Sequence, residues 1–267
     1  MESTARPTLD DADLKRFRDE GWLLVRDLLP HDICDPIVQA FVDEVKPYDG
    51  PLLRQLTSVD EPHQLSEDGW MVNPVVNPYQ RPQFERFSTI EWVAMSNAPV
   101  VDHVTRLLGG APAMLQSAYY ESSRGTHTHL DFNPVDRARP MIGLWIALED
   151  IGPGAGRFHV VPRSHRLPMD ARMARFAELA WANYRQAFIE LDPKTAEAEA
   201  QALLAEILDE HGLVREAPAL RKGDAILWTN LLLHGSDVPV RGGGTRHSLL
   251  FHFVELDLLR QHGLTNA

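Results

Sequence analysis

The sequence predicts a mainly β protein with flanking helices, and three observations carry that expectation. From Ala113 onward, short apolar stretches recur between Gly, Pro and Asp punctuation, the spacing of a sandwich or barrel. Helical periodicity is concentrated before residue 110 and again between residues 167 and 215. Within the first of these regions lies a long stretch, residues 49–90, with no sustained period. A chain of 267 residues suits one large β domain with helical additions, or two small domains. The first arrangement is expected: one domain over residues 1–267, with 49–90 as a lid-like loop and 167–215 as a helical insertion.

Taken in order, Asp10 to Glu20 predicts a short helix with Leu14 and Phe17 on one side, closed by Gly21. Gly21 to Arg26 predicts a strand. Pro30 falls at a helix start, and Ile33, Ile37, Phe41 and Val45 are spaced for one helical face. Residues 49–90 contain Asp49-Gly50-Pro51, Asn73-Pro74, Asn77-Pro78 and Arg81-Pro82, so they predict irregular loop. A loop this long inside a domain is often a lid. Its Trp70, Met71, Tyr79 and Phe84 either glue it to the core or touch a ligand. Asn97 to Leu108 predicts a helix, N-capped by Asn97 and ended by Gly109-Gly110.

Strands are then expected at Met114–Ser122, Thr126–Phe132, Met141–Glu149 and Arg157–Val161. Met169 to Glu190, with Phe176, Leu179, Trp181, Tyr184 and Phe188, predicts a helix. A second starts at Asp192-Pro193 and ends at Gly212, with Leu203, Leu204, Ile207 and Leu208 as its apolar stripe. Strands resume at Asp224–Thr229, Leu232–Val238 and Arg246–Val254.

Composition narrows the function. A net charge of -12 repels phosphate backbones and argues against a nucleic-acid partner. One cysteine, Cys34, permits no intrachain disulfide and no Cys-based zinc site, and is expected as a small core residue of a helix. No basic-then-apolar signal opens the chain, and no apolar run approaches the roughly 20 residues of a membrane span. A cytoplasmic protein acting on a small molecule is expected; oligomeric state is not legible.

The chemistry concentrates in Thr126-His127-Thr128-His129-Leu130-Asp131. On a regular strand, His127, His129 and Asp131 share one face. Burying them unpartnered is costly, and a divalent metal is the natural partner. His-x-Asp with one distant His is the facial triad of non-haem Fe(II) oxygenases. The chain has 12 histidines from which to draw the third ligand. His234, directly after Leu231-Leu232-Leu233, reads as a core histidine or a ligand, and Arg246 follows it on the next expected strand.

At this point the sequence resembles the phytanoyl-CoA dioxygenase family of Fe(II)- and 2-oxoglutarate-dependent oxygenases. The matching residues are His129-Leu130-Asp131, Trp145 to Asp150, Gly156-Arg157-Phe158 with Val161-Pro162-Arg163-Ser164-His165, Gly223-Asp224, His234-Gly235-Ser236 and Arg246. Phe17, Gly21 and Leu28-Leu29 resemble the family's N-terminal pattern.

The resemblance implies a double-stranded β-helix (jelly-roll, cupin-like) core, with His129, Asp131 and His234 as iron ligands. It implies Arg246, helped by Ser236, on the distal carboxylate of 2-oxoglutarate, and Trp145 lining the same pocket. A guanidinium grips a carboxylate through two parallel hydrogen bonds, which suits that role. Arg241 lies in a Gly-rich loop, so Arg246 is preferred. The implied reaction consumes O2 and 2-oxoglutarate, releases succinate and CO2, and hydroxylates an unactivated C–H; desaturation, epoxidation and rearrangement are other outcomes. Asp131 argues against halogenation.

Where the family has Pro-Gly-Ser-His, this chain has Arg163 in place of Gly. His252 is expected to face inward, in a structural role, and His165 to stabilise a turn. Arg54, Asn73, Asn133 and Arg137 are candidate substrate contacts. No basic cluster for the phosphates of coenzyme A is evident, which favours a smaller or uncharged substrate. The competing readings are a cupin-like metalloenzyme that does not use 2-oxoglutarate, and a non-catalytic ligand-binding β-barrel.

Overall fold

Two antiparallel sheets organise the computed structural model, which describes residues 8–55, 57–132, 134–136, 139–185 and 193–264. The larger has six strands in the order β1 (Trp22–Val25), β9 (Ala225–Thr229), β7 (Ile142–Ala147), β11 (Ser248–Glu255), β5 (Pro112–Tyr120) and β4 (Val75–Val76). The smaller has three, in the order β6 (Thr126–His129), β10 (His234–Ser236) and β8 (Phe158–Val160). A separate hairpin pairs β2 (Leu52–Leu53) with β3 (Asp60–Glu61).

Period-two alternation separates the layers. Leu249 and Phe251 of β11, with Leu144, Ile146 and Leu227, face a core shared with the N-terminal helices. Leu250, with Trp145, Ile226 and Trp228, faces Phe158 and Val160 of the small sheet. The outer face of the small sheet is covered by α5 (Ala171–Arg185) and α6 (Pro193–Glu210) through Leu130, Val161 and Leu233 against Met173, Phe176 and Leu204.

The N-terminal helices follow their sequence signals. In α1 (Asp11–Glu20), Asp10 and Asp13 form a reciprocal capping box, and Gly21 ends the helix at φ 83°. In α2 (His31–Ala40), Cys34 and Ile37 are buried, and Phe41–Val45 continues it as a π turn. Then come α3 (Glu85–Met95) and α4 (Ala98–Leu108). Asn97 stands at the N-cap of α4 without a side-chain cap bond, and Gly109 closes it. No helix among the described residues is long and apolar enough to cross a membrane.

The structure corrects several expectations. Helices hold more of the described residues than strands, so the fold is mixed rather than mainly β. The stretch 49–90 is not irregular throughout: it contains β2, β3 and β4 and the start of α3. The start of α3 has no local signal, because Phe84 makes no side-chain cap bond. Glu44, distant in sequence, accepts from the backbone of Arg86 (3.2 Å) and Phe87 (2.9 Å) instead. A seventh helix, α7 (Leu256–Gln261), follows β11 unannounced. The expected helix end near Phe188 and Glu190, and the cap at Asp192, lie outside the described residues, and the side chains of Trp181 and Tyr184 are not described.

The aromatic residues of 49–90 act as glue. Met71 and Phe84 are buried in the main core, and Phe84 meets Tyr48 edge-on with centroids 5.3 Å apart. Tyr79 packs on Trp92, and Lys46 lies over Trp70. Arg54 and Asn73 are also structural here. Arg54 donates to the carbonyls of Glu61 and Asn73 (both 3.0 Å) and to His63 Nδ1 (3.1 Å). Asn73 accepts from Gln64 N and donates to the Pro62 carbonyl. Asn133 and Arg137 lie outside the described residues.

Candidate metal centre and flanking cavities

His129, Asp131 and His234 come together between the two sheets, with one ligand atom from each lying within 4.8 Å of the others. His129 and His234 are partners across β6 and β10, which brings their rings to 4.4 Å. Asp131 lies just beyond β6, and its backbone N–H donates to the Asn230 carbonyl at the end of β9 (2.9 Å). Gly235 is needed beside His234, since a Cβ there would meet the Thr126 carbonyl at 2.5 Å and push β6 away.

One expectation about this strand fails. His127 does not share the ligand face. Two steps along β10, His234 to Ser236, span three along β6, His129 to Thr126, so β6 carries a bulge. Thr126 and His129 therefore both face the centre. His127 turns outward to α6, with Nε2 3.2 Å from Glu197 Oε1 and Nδ1 3.4 Å from Gln201 Nε2.

The tautomers suit a cation. His129 Nδ1 lies 2.8 Å from the His127 carbonyl, and His234 Nδ1 2.9 Å from the Leu232 carbonyl. A carbonyl only accepts, so each Nδ1 carries the proton and, in a neutral ring, Nε2 carries the lone pair. Those Nε2 atoms lie 3.6 Å and 3.3 Å from Asp131 Oδ1 and Oδ2. Lone pairs facing carboxylate oxygens repel, and a divalent ion between them reverses the sign. With those rings protonated in place of a bound ion, burial would still raise the Asp131 carboxyl, but the charges of His234 and His252 and bonds from His129 and His234 would outweigh it and hold the group well below the carboxylate range.

Sequence reasoning missed Trp228, whose Nε1–H donates to Asp131 Oδ2 at 3.2 Å. Its ring lies over Gly143 of the neighbouring strand, where a Cβ would come within 2.2 Å of it. His252 does face inward, as period two implies, and its Nε2 is 3.2 Å from the same oxygen. Two groups outside the triad thus bear on one oxygen of Asp131.

Two cavities flank the group and share His129, Asp131, His252 and Gln55 as walls. The narrower, about 40 Å³, contains Arg246, Ser236, Trp145 and Tyr120. Arg246 precedes β11 and is fully buried, with its guanidinium 5.3 Å above the Tyr120 ring and 5.6 Å above Trp145. It donates to the Gly156 carbonyl at 2.7 Å, but among the described residues its Nε has no partner. Among the described residues no carboxylate pairs with it. Burial pushes the guanidinium down to about 10, against smaller opposing effects of Tyr120 and Asp237. Arg241, by contrast, is exposed and meets Glu67 at 3.3 Å.

The wider cavity, about 170 Å³, adjoins the metal group at His129 and Asp131 and lacks His234 among its walls. Gln55 and Ser58 reach it from the stretch 49–90, and neither stood out in the sequence. At the remaining motif, Arg163 stands in the left-handed region that favours glycine, φ 68°. His165 donates to the Arg18 carbonyl at 3.1 Å, tying that turn to α1.

A protein of facing antiparallel sheets with a His-Asp-His group able to hold a metal is the class that fold and site define. The chain belongs to the phytanoyl-CoA dioxygenase (PhyH) family, whose model matches residues 17–248. No curated protein sequence matches it. Among solved structures it is similar to SnoN, a non-heme alpha ketoglutarate dependent epimerase from nogalamycin biosynthesis. The two are 17% identical over 92% of this chain and 82% of that one, with a TM-score of 0.60. It is also similar to EctD from S. alaskensis with bound Fe, at 19% identity over 96% of this chain and 80% of that one, TM-score 0.61. SnoK, a carbocyclase from nogalamycin biosynthesis, is 15% identical over 94% and 87%, TM-score 0.59. At these identities the likeness is one of fold.

Proposed function

We propose that the protein is an Fe(II)- and 2-oxoglutarate-dependent oxygenase that hydroxylates an unactivated C–H of a small molecule. The two sheets would form the double-stranded β-helix core of such enzymes, with the chain acting as one domain. His129, Asp131 and His234 would hold the iron, and Arg246, Ser236 and Trp145 the 2-oxoglutarate. Bound iron would supply the oxidising chemistry, with 2-oxoglutarate and O2 consumed and succinate and CO2 released. The similar structures include an epimerase and a carbocyclase, so the outcome at the substrate is the finer part of the proposal.

The observation that carries this reading is Arg246. A buried guanidinium with an unpartnered Nε needs an anion, and it faces the cavity beside the metal group. A dicarboxylate with one end on the metal and the other on Arg246 supplies it. A cupin-like metalloenzyme without 2-oxoglutarate has no use for that cation. The remaining residues do static work. Trp228 and His252 hold one oxygen of Asp131, and the carbonyls of His127 and Leu232 aim the two rings. Phe158, Trp228 and Leu250 keep water from the inner wall.

Anaerobic addition of Fe(II) and 2-oxoglutarate should produce a weak visible charge-transfer band, absent in His234→Ala. A normal band in that variant removes His234 from the ligand set. Succinate formation under O2 separates this reading from a metalloenzyme that does not use 2-oxoglutarate.

A further inference from the structure

The wider cavity has a chemistry of its own. Leu115, Phe132, Pro134 and Met141 give it apolar walls, and Gln55 and Gln116 bring carboxamides to it. Gln116 pairs with His252 across β5 and β11, so the two side chains share the inner face. The register then slips, with Phe253 opposite Met114, leaving Leu115 as the extra residue of a bulge. That bulge explains how neighbours Leu115 and Gln116 both reach one cavity.

We infer that this cavity binds a neutral, ring-sized substrate, or the ring-sized part of one, that carries an amide-like pair of hydrogen-bonding groups read by Gln116 and Gln55. The inference rests on the oxygenase reading for the identity of the metal side. Tyr120 donates its hydroxyl to Gln55 Oε1, which turns the Gln55 amide N–H groups free for a ligand acceptor. The Gln116 side chain makes no hydrogen bond among the described residues, so both its donor and its acceptor are available. A carboxamide or lactam can pair with such groups in both senses.

Charge points the same way. The cation of the site, Arg246, belongs to the narrower cavity. Among the described residues lining the wider one there is no Lys, Arg or Glu. A substrate carboxylate there would be stripped of water against Met141 and Phe132 and set beside Asp131. The volume, about 170 Å³, is near the roughly 150 Å³ of an engineered cavity that binds benzene, which sets the scale at one ring.

Three probes of one shape test this: cyclohexanecarboxamide, cyclohexanecarboxylate and cyclohexylmethylammonium. They are titrated by ligand-observed NMR into the full chain with zinc in place of iron and 2-oxoglutarate present. The carboxamide should bind at least about tenfold more tightly than either charged probe, and Gln116→Leu should cut that preference below about threefold. Met141→Trp, which fills the cavity, should abolish binding of all three. The inference is overturned if a charged probe binds as tightly as the carboxamide, if no probe binds, or if Gln116→Leu keeps the preference. Repeating the titration without zinc and 2-oxoglutarate isolates it from the oxygenase reading. The preference persists there if only that reading is wrong, and is absent in both titrations if the cavity has been misread.

Discussion

Among the described residues two arginines are fully buried, and their surroundings differ in one respect. Both guanidiniums are pushed down to about 10 by burial. Arg54, inside the stretch 49–90, spends its donors on two carbonyls, the Met71 sulfur and His63. His63 can accept because its own Nε2–H is given to the Val45 carbonyl at 2.9 Å. Arg246 has one carbonyl and an unpartnered Nε. Burial of a cation therefore does not mark a functional site here; unspent donors facing a cavity do.

The sharpest way to break this contrast is to remove each cation in turn. Arg246→Leu should weaken 2-oxoglutarate binding by about a hundredfold or more, measured by titrating the charge-transfer band, while the melting temperature stays within a few degrees. Arg54→Leu should do the reverse. It leaves buried carbonyls without donors, at a cost of about 3 kcal/mol in a urea melt. A large loss of 2-oxoglutarate affinity in the Arg54 variant would erase the distinction.

Glu91 supplies the harder comparison. It is fully buried on α3, neither carboxylate oxygen has a partner within normal hydrogen-bond length among the described residues, and it lines neither cavity. Burial pushes it up to about 8, against smaller effects of Ser117 and the Tyr79 backbone, so near neutral pH it stays protonated and uncharged. Between its ordinary 4.5 and about 8, the unfolded chain has lost the proton and the folded one keeps it, so stability falls as pH rises through that window. Glu91→Gln removes the effect. Its unfolding free energy from urea melts should match the parent's near pH 4 and exceed it increasingly up to pH 8, by roughly 2–4 kcal/mol. A constant gap across that range would contradict a neutral Glu91.

The smallest expected change tests Trp228. Trp228→Phe keeps the ring over Gly143 and deletes one hydrogen bond to Asp131. Zinc affinity, read by competition with a chelator, should fall about tenfold with the fold intact. No change would mean that His252 holds Asp131 alone.

What the sequence made legible follows from range. His129 and Asp131 stand two residues apart, and the resemblance added His234 and Arg246; the structure brings all four to one place. The first helix was readable because Asp10, Asp13 and Gly21 are local signals. The outward turn of His127 was not, because period two presumes an unbroken ladder and the bulge appears only when β10 is laid beside β6. Trp228 and Gln116 were equally hidden. Trp228 looks like one apolar residue of an ordinary strand until the pairing with Gly143 aims its ring. The start of α3 was missed because its cap, Glu44, arrives from another element.

The bulge has one further consequence. His127 serves two masters at once: its carbonyl sets the tilt of the His129 ring, while its imidazole leans on α6. The helical pair between β8 and β9 is thus an outrigger lashed to the metal centre by a polar tie at His127 as well as by its packing on Leu130, Val161 and Leu233. A descendant that shortened or replaced this pair would have to re-anchor that carbonyl by other means, so the residue two before the first ligand histidine and the length of the insertion should drift together over evolutionary time.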